Sequence, residues 1–430
     1  MTEAFLHFIW KFQLFESQPL KSSVGQEITI LKTGTHNTNA GPDFLNSKVK
    51  IGNETWVGNV EIHLKSSDWN AHNHQNDEAY KNVILHVVFI HDEDISLHTK
   101  GDLPVLDLSD YIGMSYINKY ERLIKSRSAI PCSANFHQVD EFSWSNWLDR
   151  LVVERLERKT KIISFELEKL NNNWNETFYR FLAKNFGFKV NAEAFLQLAE
   201  SLPSTILEKH KDSVFQIEAL LFGQAGLLDD DFEESYPFDL ANEYAFLKKK
   251  YNLFPRKSSS WKYLRLMPAN FPPIRISQFA NLFCNSKFLF SRLLECVHFD
   301  EVDKILDIKA NDYWSNHSAF ERETKASTKK LGKSSKENIL INTLVPFLFL
   351  YGKTKKQQVY VDRALRFLEE CPSENNAITR KWDKLLKENI DEKMKINNAL
   401  QSQGSLELKN EYCLPKKCLS CSLGIRILNK

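Results

Sequence analysis

The chain of 430 residues is 42% hydrophobic and 26% charged, which is ordinary for a globular protein. A formal net charge of +2 leaves no overall positive field, so binding to nucleic acid would require a local basic patch. Seven cysteines, an odd number, fit reduced thiols or a metal site better than a disulfide framework.

The N-terminal segment lacks the features of a secretory signal peptide. It has no basic region, no long apolar run and no small-residue cleavage site. Elsewhere, no stretch reaches the roughly 18 consecutive apolar residues that a membrane-spanning helix needs. We therefore expect a cytoplasmic protein without membrane insertion.

Hydrophobic periodicity predicts an N-terminal helix followed by a β-sheet. Apolar residues recur with the spacing of an amphipathic helix at Phe5, Phe8, Ile9 and Phe12. Strand-like runs follow at 27–31, 47–51, 55–64 and 82–90, with a short edge strand at 101–108. Gly52 and Asn53, between two of these runs, are typical of a two-residue hairpin turn.

From about Glu141 the apolar period becomes helical, beginning with one long helix. Further helices are predicted at 178–186, 193–201, 213–228, 242–251, 276–283, 287–297, 337–351, 357–370 and 377–387. Residues 267–274 are predicted to form a loop, because a helix interior does not tolerate Pro272 and Pro273.

The predicted fold class is therefore α+β. An N-terminal mixed β-sheet domain, residues 1–135, precedes a mainly α-helical region, residues 136–430, which ends in a cysteine cluster. A further boundary within the helical region is expected near 325–336.

The strand at 55–64 carries a row of reactive side chains. Because successive strand residues alternate between faces, Glu61, His63 and Lys65 share one face. With Asp43 at the head of the hairpin, this row resembles the core of the PD-(D/E)XK nuclease superfamily, a restriction-endonuclease-like fold. The resemblance implies that Asp43 and Glu61 bind Mg²⁺, an ion that prefers oxygen ligands.

The predicted catalytic set is Asp43, Glu61, His63 and Lys65. His63 stands where the superfamily usually has its lysine, and Lys65 lies one step further along the same face. A neutral imidazole orients water but supplies no fixed positive charge at pH 7. This departure puts nuclease activity in doubt.

Strand register is a second difficulty for the nuclease interpretation. A strict two-residue turn would pair Asp43 with Ile62, on the core side of the strand. A one-residue β-bulge, expected near Gly58 and Asn59, would bring the carboxylates of Asp43 and Glu61 together.

Two other interpretations of this region compete. In one, Asp43 is a turn residue, and Glu61 and His63 lie on a solvated strand face. In the other, a zinc ion is bound by the residues His63, His72, His74 and Asp77. His86 lies within an apolar strand and is predicted to be a hydrogen-bonded core residue.

The C-terminal segment contains a C-x₄-C-x₂-C motif formed by Cys413, Cys418 and Cys421. Such spacing suits Zn²⁺ or an iron–sulfur cluster. A fourth ligand would have to come from elsewhere, the candidates being a histidine, Cys284, Cys296 and Cys371. The alternative is that the three thiols pack a C-terminal tail into the core.

Several longer motifs resemble one family over essentially the whole chain. They are IWKFQLF, NAGPDF, GNVEIHLKSSDW, FGQAGLL, RLMPANFPPIRISQFA and CLPKKCLSCSLG. They resemble the Bacteroidetes family known as domain of unknown function 2851. That resemblance implies no established enzymatic activity. Members also look like a plug protein on the outer-membrane translocon of type IX secretion, which implies a protein partner and a position on the periplasmic side of that membrane.

The function expected from these observations is a non-catalytic binding or scaffold role on a degenerate nuclease-like fold. His63 at the lysine position and the near-neutral net charge support it. The alternative is a Mg²⁺-dependent nuclease acting on DNA or RNA.

Overall fold

The computed structural model describes residues 1–16, 19–97, 101–285 and 289–430. They pack into two compact units. The sheet unit comprises Met1–Trp147, Leu385–Lys393 and Leu408–Lys430. The helical unit comprises Leu148–Lys384 and Met394–Glu407. The predicted α+β class is confirmed.

Eleven strands are described in these ranges. They are β1 (Leu20–Lys21), β2 (Glu27–Lys32), β3 (Thr35–His36), β4 (Phe44–Ile51), β5 (Glu54–Lys65), β6 (Val83–Ile90), β7 (Ser96–Leu97), β8 (Gly101–Asp102), β9 (Val105–Asp107), β10 (His317–Ala319) and β11 (Arg322–Glu323). Seven of them form one sheet in the order β1-β2-β4-β5-β6-β9, with β3 also paired to β4.

The main sheet is mixed, as predicted, but the predicted edge strand 101–108 joins it only through β9, because β8 pairs with β7 in a separate two-stranded sheet. Strands β1, β2, β4 and β5 form antiparallel pairs in sequence along the sheet. Strand β6 runs parallel to β5, and β9 runs parallel to β6. The long connection between β5 and β6 returns the chain to the end of the sheet at which β5 begins, as a parallel pair requires.

A β-bulge sets the register of the β4–β5 hairpin. Ser47 pairs with Gly58, whereas Phe44 pairs with Val60, so residues 45 and 46 together oppose Asn59. Asn46 takes the left-handed conformation, with φ of 56°, and its N–H donates to Asn59 Oδ1 at 3.2 Å. The predicted bulge is therefore present, but its extra residue lies in β4 and not at Gly58-Asn59.

Gly58 has a different role in the hairpin. A Cβ at this position would overlap the Ile84 side chain and the backbone oxygen of Asn82. Glycine therefore permits the close approach of β5 to the segment that leads into β6.

Eighteen α-helices are described in these ranges. They are α1 (Glu3–Phe12), α2 (Asp68–Ala71), α3 (Met114–Lys125), α4 (Glu141–Lys169), α5 (Trp174–Phe186), α6 (Ala192–Ser201), α7 (Ser204–Glu208), α8 (Val214–Gln224), α9 (Ser235–Tyr251), α10 (Pro272–Asn285), α11 (Leu289–Glu295), α12 (Phe299–Ile305), α13 (Lys333–Ile339), α14 (Val345–Lys355), α15 (Gln358–Glu370), α16 (Ala377–Asn389), α17 (Ala399–Glu407) and α18 (Ser422–Asn429). Residues 287–288 of the predicted helix 287–297 lie outside the described residues.

The helical unit has one large apolar core rich in aromatic side chains. Helix α10, which packs in this core, begins earlier in the chain than predicted, at Pro272. Proline is well tolerated in a first helical turn, where its missing N–H would have no intrahelical acceptor. The prediction of a loop over 267–274 was therefore wrong for residues 272–274. No helix in the described part of the chain is long and apolar enough to cross a membrane.

Gly226 closes helix α8 and makes a testable contribution to stability. Its N–H donates to Gly223 O, and the next N–H, of Leu227, donates to Phe222 O, which is the Schellman pattern. Its φ is +69°, and a Cβ would overlap the carbonyl oxygen of Arg256.

We expect Gly226→Ala to lower the free energy of unfolding by about 2–4 kcal/mol, from left-handed strain and overlap together. Gly25→Ala is the matched control, because Gly25 has φ of +82° but no atom within 4 Å of the point that a Cβ would occupy. Its expected loss, about 1 kcal/mol, reflects strain alone. Chemical denaturation of both variants measures the difference, and equal losses would contradict the overlap at Gly226.

Candidate metal-binding site in the sheet unit

Strand β5 carries Glu61 and His63 into the interior of the sheet unit. Glu61 is 5% exposed and His63 is 2% exposed. Their strand neighbours Val60 and Ile62 are buried as well, so both faces of this strand are covered. A buried polar row of this kind requires polar partners, because unpaired polar groups are costly to remove from water.

Asp43 is the first such partner. The bulge in β4 places it opposite Glu61, and its backbone N–H donates to Glu61 Oε2 at 3.1 Å. In return the backbone N–H of Ile62 donates to Asp43 Oδ2 at 3.0 Å. The two carboxylates that the sequence predicted as metal ligands therefore lie side by side.

Two histidines from the segment after β5 approach the same point. The Nδ1 atom of His72 lies 3.1 Å from Nε2 of His63. Glu61 Oε1 is 3.4 Å from Nε2 of His63 and 3.4 Å from Nε2 of His74. Ligand atoms of the three histidines lie within 4.8 Å of one another.

This segment is fixed by aromatic packing and by one aspartate. The His74 ring stacks on Tyr80 with 3.8 Å between centroids, and Tyr80 packs with Trp69 in a small buried apolar cluster. Asp92 accepts hydrogen bonds from the hydroxyl groups of Ser66 and Ser67. The turn after β5 is therefore held in the position that directs His72 and His74 toward β5.

His86 supports His63 from the neighbouring strand. Nδ1 of His63 lies 2.9 Å from Nε2 of His86, which is fully buried. This confirms the prediction that His86 is a hydrogen-bonded core residue. A hydrogen bond to the ring nitrogen that does not face the metal orients a metal-binding imidazole and selects its tautomer.

Helix α1 contributes groups that the sequence analysis missed. Nε2 of His7 lies 3.2 Å from Asp43 Oδ2. Burial raises the pKa of Glu3, and the charges of His72 and Asp43 contribute to that pKa as well. Glu3 and His7 are four residues apart and so lie on one helix face, which is the one signal that could have identified them.

Burial dominates the electrostatics of the site. It raises the pKa of Glu61 to about 8, with a further contribution from the negative charge of Asp43. It lowers the pKa of His63 to about 4, helped by His74 and His72. Burial also lowers the pKa of His74, again with a contribution from His72. A dication would favour the opposite state of Glu61, the carboxylate, beside neutral imidazoles.

Three separations between these donors are close to those of a tetrahedral metal site. Zinc binds imidazole nitrogen and carboxylate oxygen at about 2.0–2.1 Å, which places tetrahedral ligand atoms about 3.3–3.4 Å apart. The measured separations are 3.1 Å between His63 and His72, and 3.4 Å from Glu61 to each of His63 and His74. The three histidines therefore form a candidate donor set, and Glu61 lies against two of them.

Two predicted residues lie apart from this set. Lys65 is 56% exposed at its side chain, and its Nζ lies 3.8 Å from Asp92 Oδ2. Asp77, predicted as a zinc ligand with the three histidines, instead accepts from Ala79 N–H and caps a short helical turn. Glu61, and not Asp77, lies against the histidines, with Oε1 3.4 Å from His63 and from His74.

The three C-terminal cysteines also lie in the sheet unit, although they were predicted as part of the helical region. Cys413, Cys418 and Cys421 are all buried free thiols.

Comparison with known proteins gives a family without an assigned activity. No curated protein and no solved structure matches the chain. One family model, described as "Protein of unknown function (DUF2851)", matches residues 3–377. This confirms the family that the sequence motifs resemble. The chain belongs to this DUF2851 family.

Proposed function

We propose that this protein is a metal-dependent hydrolase that cleaves phosphodiester bonds in nucleic acid. The observation that carries the proposal is the cluster of His63, His72 and His74, with the Glu61 carboxylate 3.4 Å from His63 and His74. Asp43 is bonded beside Glu61. Structural zinc sites are usually closed by cysteines, whereas catalytic sites combine histidines with a carboxylate and leave one side open.

The donor set favours zinc or a similar transition metal over magnesium. Imidazole nitrogen suits zinc, iron, copper and nickel, whereas magnesium prefers oxygen ligands and retains several waters. His63, His72 and His74 would hold the ion, with Glu61 Oε1 3.4 Å from His63 and His74, and the fourth position of a tetrahedral site would be left for water. When bound, such an ion lowers the pKa of water and polarises a phosphoryl oxygen.

Access and orientation come from residues at the mouth of the site. His72 is exposed, and the Asp43 side chain is 21% exposed, so a substrate can reach both. The Ile62 N–H fixes the Asp43 carboxylate. That carboxylate is placed to accept a hydrogen bond from a water molecule attacking at the site. His7, 3.2 Å away, could take up the proton that Asp43 receives.

The substrate class rests on the resemblance of this core to the PD-(D/E)XK superfamily. Asp43 lies opposite Glu61 at the end of an antiparallel hairpin, and the hairpin continues into the parallel pair of β5 and β6. A phosphodiester is the substrate on which that superfamily uses a pair of neighbouring carboxylates.

The test is a cleavage assay with single-stranded and double-stranded DNA and RNA, in the presence of Zn²⁺, Mn²⁺ or Mg²⁺. We expect cleavage with a transition metal, and a loss of about 100-fold or more in rate for Asp43→Asn. Lys65→Ala is the control and should retain activity, because Lys65 faces Asp92. Protein that binds the metal but cleaves none of these substrates would contradict the hydrolase proposal.

The placement of Lys65 favours a second candidate, a non-catalytic binding or scaffold role. Lys65, the lysine on the same strand as Glu61, has its Nζ 3.8 Å from Asp92 Oδ2 and is engaged there. The partner implied by the family resemblance is an outer-membrane secretion complex. Isolation of the protein from its native cell in mild detergent should then recover translocon components that stay bound through a moderate salt wash. The Asp43→Asn variant should recover the same components in equal amounts. Recovery of the free chain alone would contradict this role.

A further inference from the structure

Four of the seven cysteines gather in the sheet unit. Cys413, Cys418 and Cys421 come from the C-terminal segment, and Cys132 comes from the turn that follows α3. All four are buried, with exposed fractions of 7–8%, and all are free thiols. The fourth ligand that the C-terminal motif lacks is therefore available within the same unit. The sequence-based candidates Cys284, Cys296 and Cys371 all belong to the helical unit.

The four thiols are close enough to influence one another. The pKa of Cys132 rises to about 12, mainly through burial and then through Cys421 and Cys418. Burial also raises the pKa of Cys413, with Cys132 and Cys421 as the next contributions. Buried thiols with these neighbours would not ionise by themselves at neutral pH, whereas a metal binds and stabilises the thiolate.

Hydrogen bonds and close packing hold the two segments together. Arg426 Nε and Lys430 Nζ donate to the carbonyl oxygen of Gln138, at 3.2 and 2.9 Å. Lys416 Nζ donates to Ile124 O, near the end of α3. A Cβ at Gly424 would overlap the backbone oxygen of Cys418, so glycine is required where α18 meets the cysteine loop. The segments that carry the four thiols are therefore fixed against each other.

Cys421 also has the surroundings of a thiolate ligand. It precedes helix α18. Burial raises the pKa of its thiol, and the backbone N–H groups of Gly424 and Leu423 at the sulfur act in the opposite direction. Hydrogen bonds from backbone N–H groups to cysteine sulfur stabilise the thiolate and tune metal–sulfur centres.

The spacing of the sulfur atoms distinguishes between metals. Among the described residues, no three of the four cysteine sulfurs lie within 4.8 Å of one another, whereas the ligand atoms of His63, His72 and His74 do. A single zinc ion binds thiolates at about 2.3 Å, which would bring its sulfurs within about 4 Å of one another. A cluster of several irons separates its thiolates further, because different thiolates bind different irons.

We propose that Cys132, Cys413, Cys418 and Cys421 bind an iron–sulfur cluster, which ties the C-terminal segment to the turn after α3. This site is independent of the histidine site and of the hydrolase proposal. The cluster's role here is structural, since its ligands join two segments that are far apart in the chain.

The test is metal and sulfide analysis of the full-length protein purified without oxygen. We expect iron and acid-labile sulfide in equal amounts, about two or four of each per chain. Cys132→Ser and Cys418→Ser should lose both, whereas Cys296→Ser, a buried cysteine of the helical unit, should retain them.

The wild-type protein provides a second measurement if those variants fail to fold. Removal of iron with a chelator should bleach the visible absorption of the cluster and make the C-terminal segment accessible to protease. Protein without iron, protein with zinc alone, or a Cys132→Ser variant with its full iron content would overturn the proposal.

Discussion

Replacement of Glu407 by alanine is expected to lower the free energy of unfolding of the helical unit by about 3 kcal/mol. Glu407 is 2% exposed and binds two arginines of α4. Arg158 contacts it through Nε at 3.0 Å and Nη2 at 2.6 Å, and Arg155 through Nη1 at 3.1 Å. Without the carboxylate, the positive charge of Arg155, which is 15% exposed, is left buried and uncompensated.

The pH dependence follows from the same contacts. Burial alone would raise the pKa of Glu407, but hydrogen bonds from Arg158 and Arg155 outweigh it, and the pKa is lowered from 4.5. The stabilisation is therefore present above pH 4.5 and is lost as the pH falls through the lower folded-state pKa. Denaturation followed by helical circular dichroism should show a difference from wild type at pH 7 that shrinks in acid.

Asp312→Ala provides the matched control. Asp312 forms an ion pair with Lys309 at 2.7 Å, but its side chain is 88% exposed. Surface pairs contribute at most about 1 kcal/mol, because water and salt screen them. If Glu407→Ala costs no more than Asp312→Ala, the buried cluster does not stabilise the unit in the way described.

The second large effect is a loss of stability between mildly acidic and neutral pH, caused by Glu218. This residue of α8 is fully buried and accepts hydrogen bonds from Ser277 Oγ, Tyr236 OH and Asn311 Nδ2. Burial nonetheless raises its pKa from 4.5 to about 7. The protonated Glu218 side chain therefore stabilises the folded state fully below about pH 4.5, and this stabilisation is lost as the pH rises through about 7.

The size of this effect follows from the shift. One pKa unit corresponds to about 1.4 kcal/mol, so the loss between pH 4.5 and 8 is on the order of 3 kcal/mol. Glu218→Gln keeps the shape of the side chain and removes the titration. Stability measured across this pH range should therefore fall less in the variant than in wild type. Parallel curves for the two proteins would show that Glu218 does not titrate in this range.

The sequence was sufficient to predict the sheet, its hairpin and the buried position of His86. It was also sufficient to require a bulge, because the two-residue turn pairs Asp43 with the wrong residue. It could not locate that bulge. Asn46 and Gly58 both tolerate unusual backbone conformations, and only the packing of Gly58 against Asn82 and Ile84 distinguishes their roles.

Distant contacts account for the other parts of the site that were missed. His7 reaches Asp43 from a helix that precedes the sheet, and Cys132 meets cysteines from the other end of the chain. Local periodicity carries no information about such pairs, because it reports which face a residue occupies and not what covers that face. His72 and His74 were identified because they follow β5 directly in the sequence.

The sheet unit is the first to begin and the last to be completed during synthesis. Its residues up to Trp147 leave the ribosome before the helical unit does, but Leu408–Lys430 emerge after it. At 5–20 residues per second the delay is on the order of tens of seconds. During that interval the cysteine turn after α3 is without its C-terminal partners. Final assembly of this unit therefore waits for synthesis of the helical unit, and chaperones have time to act on its exposed surface.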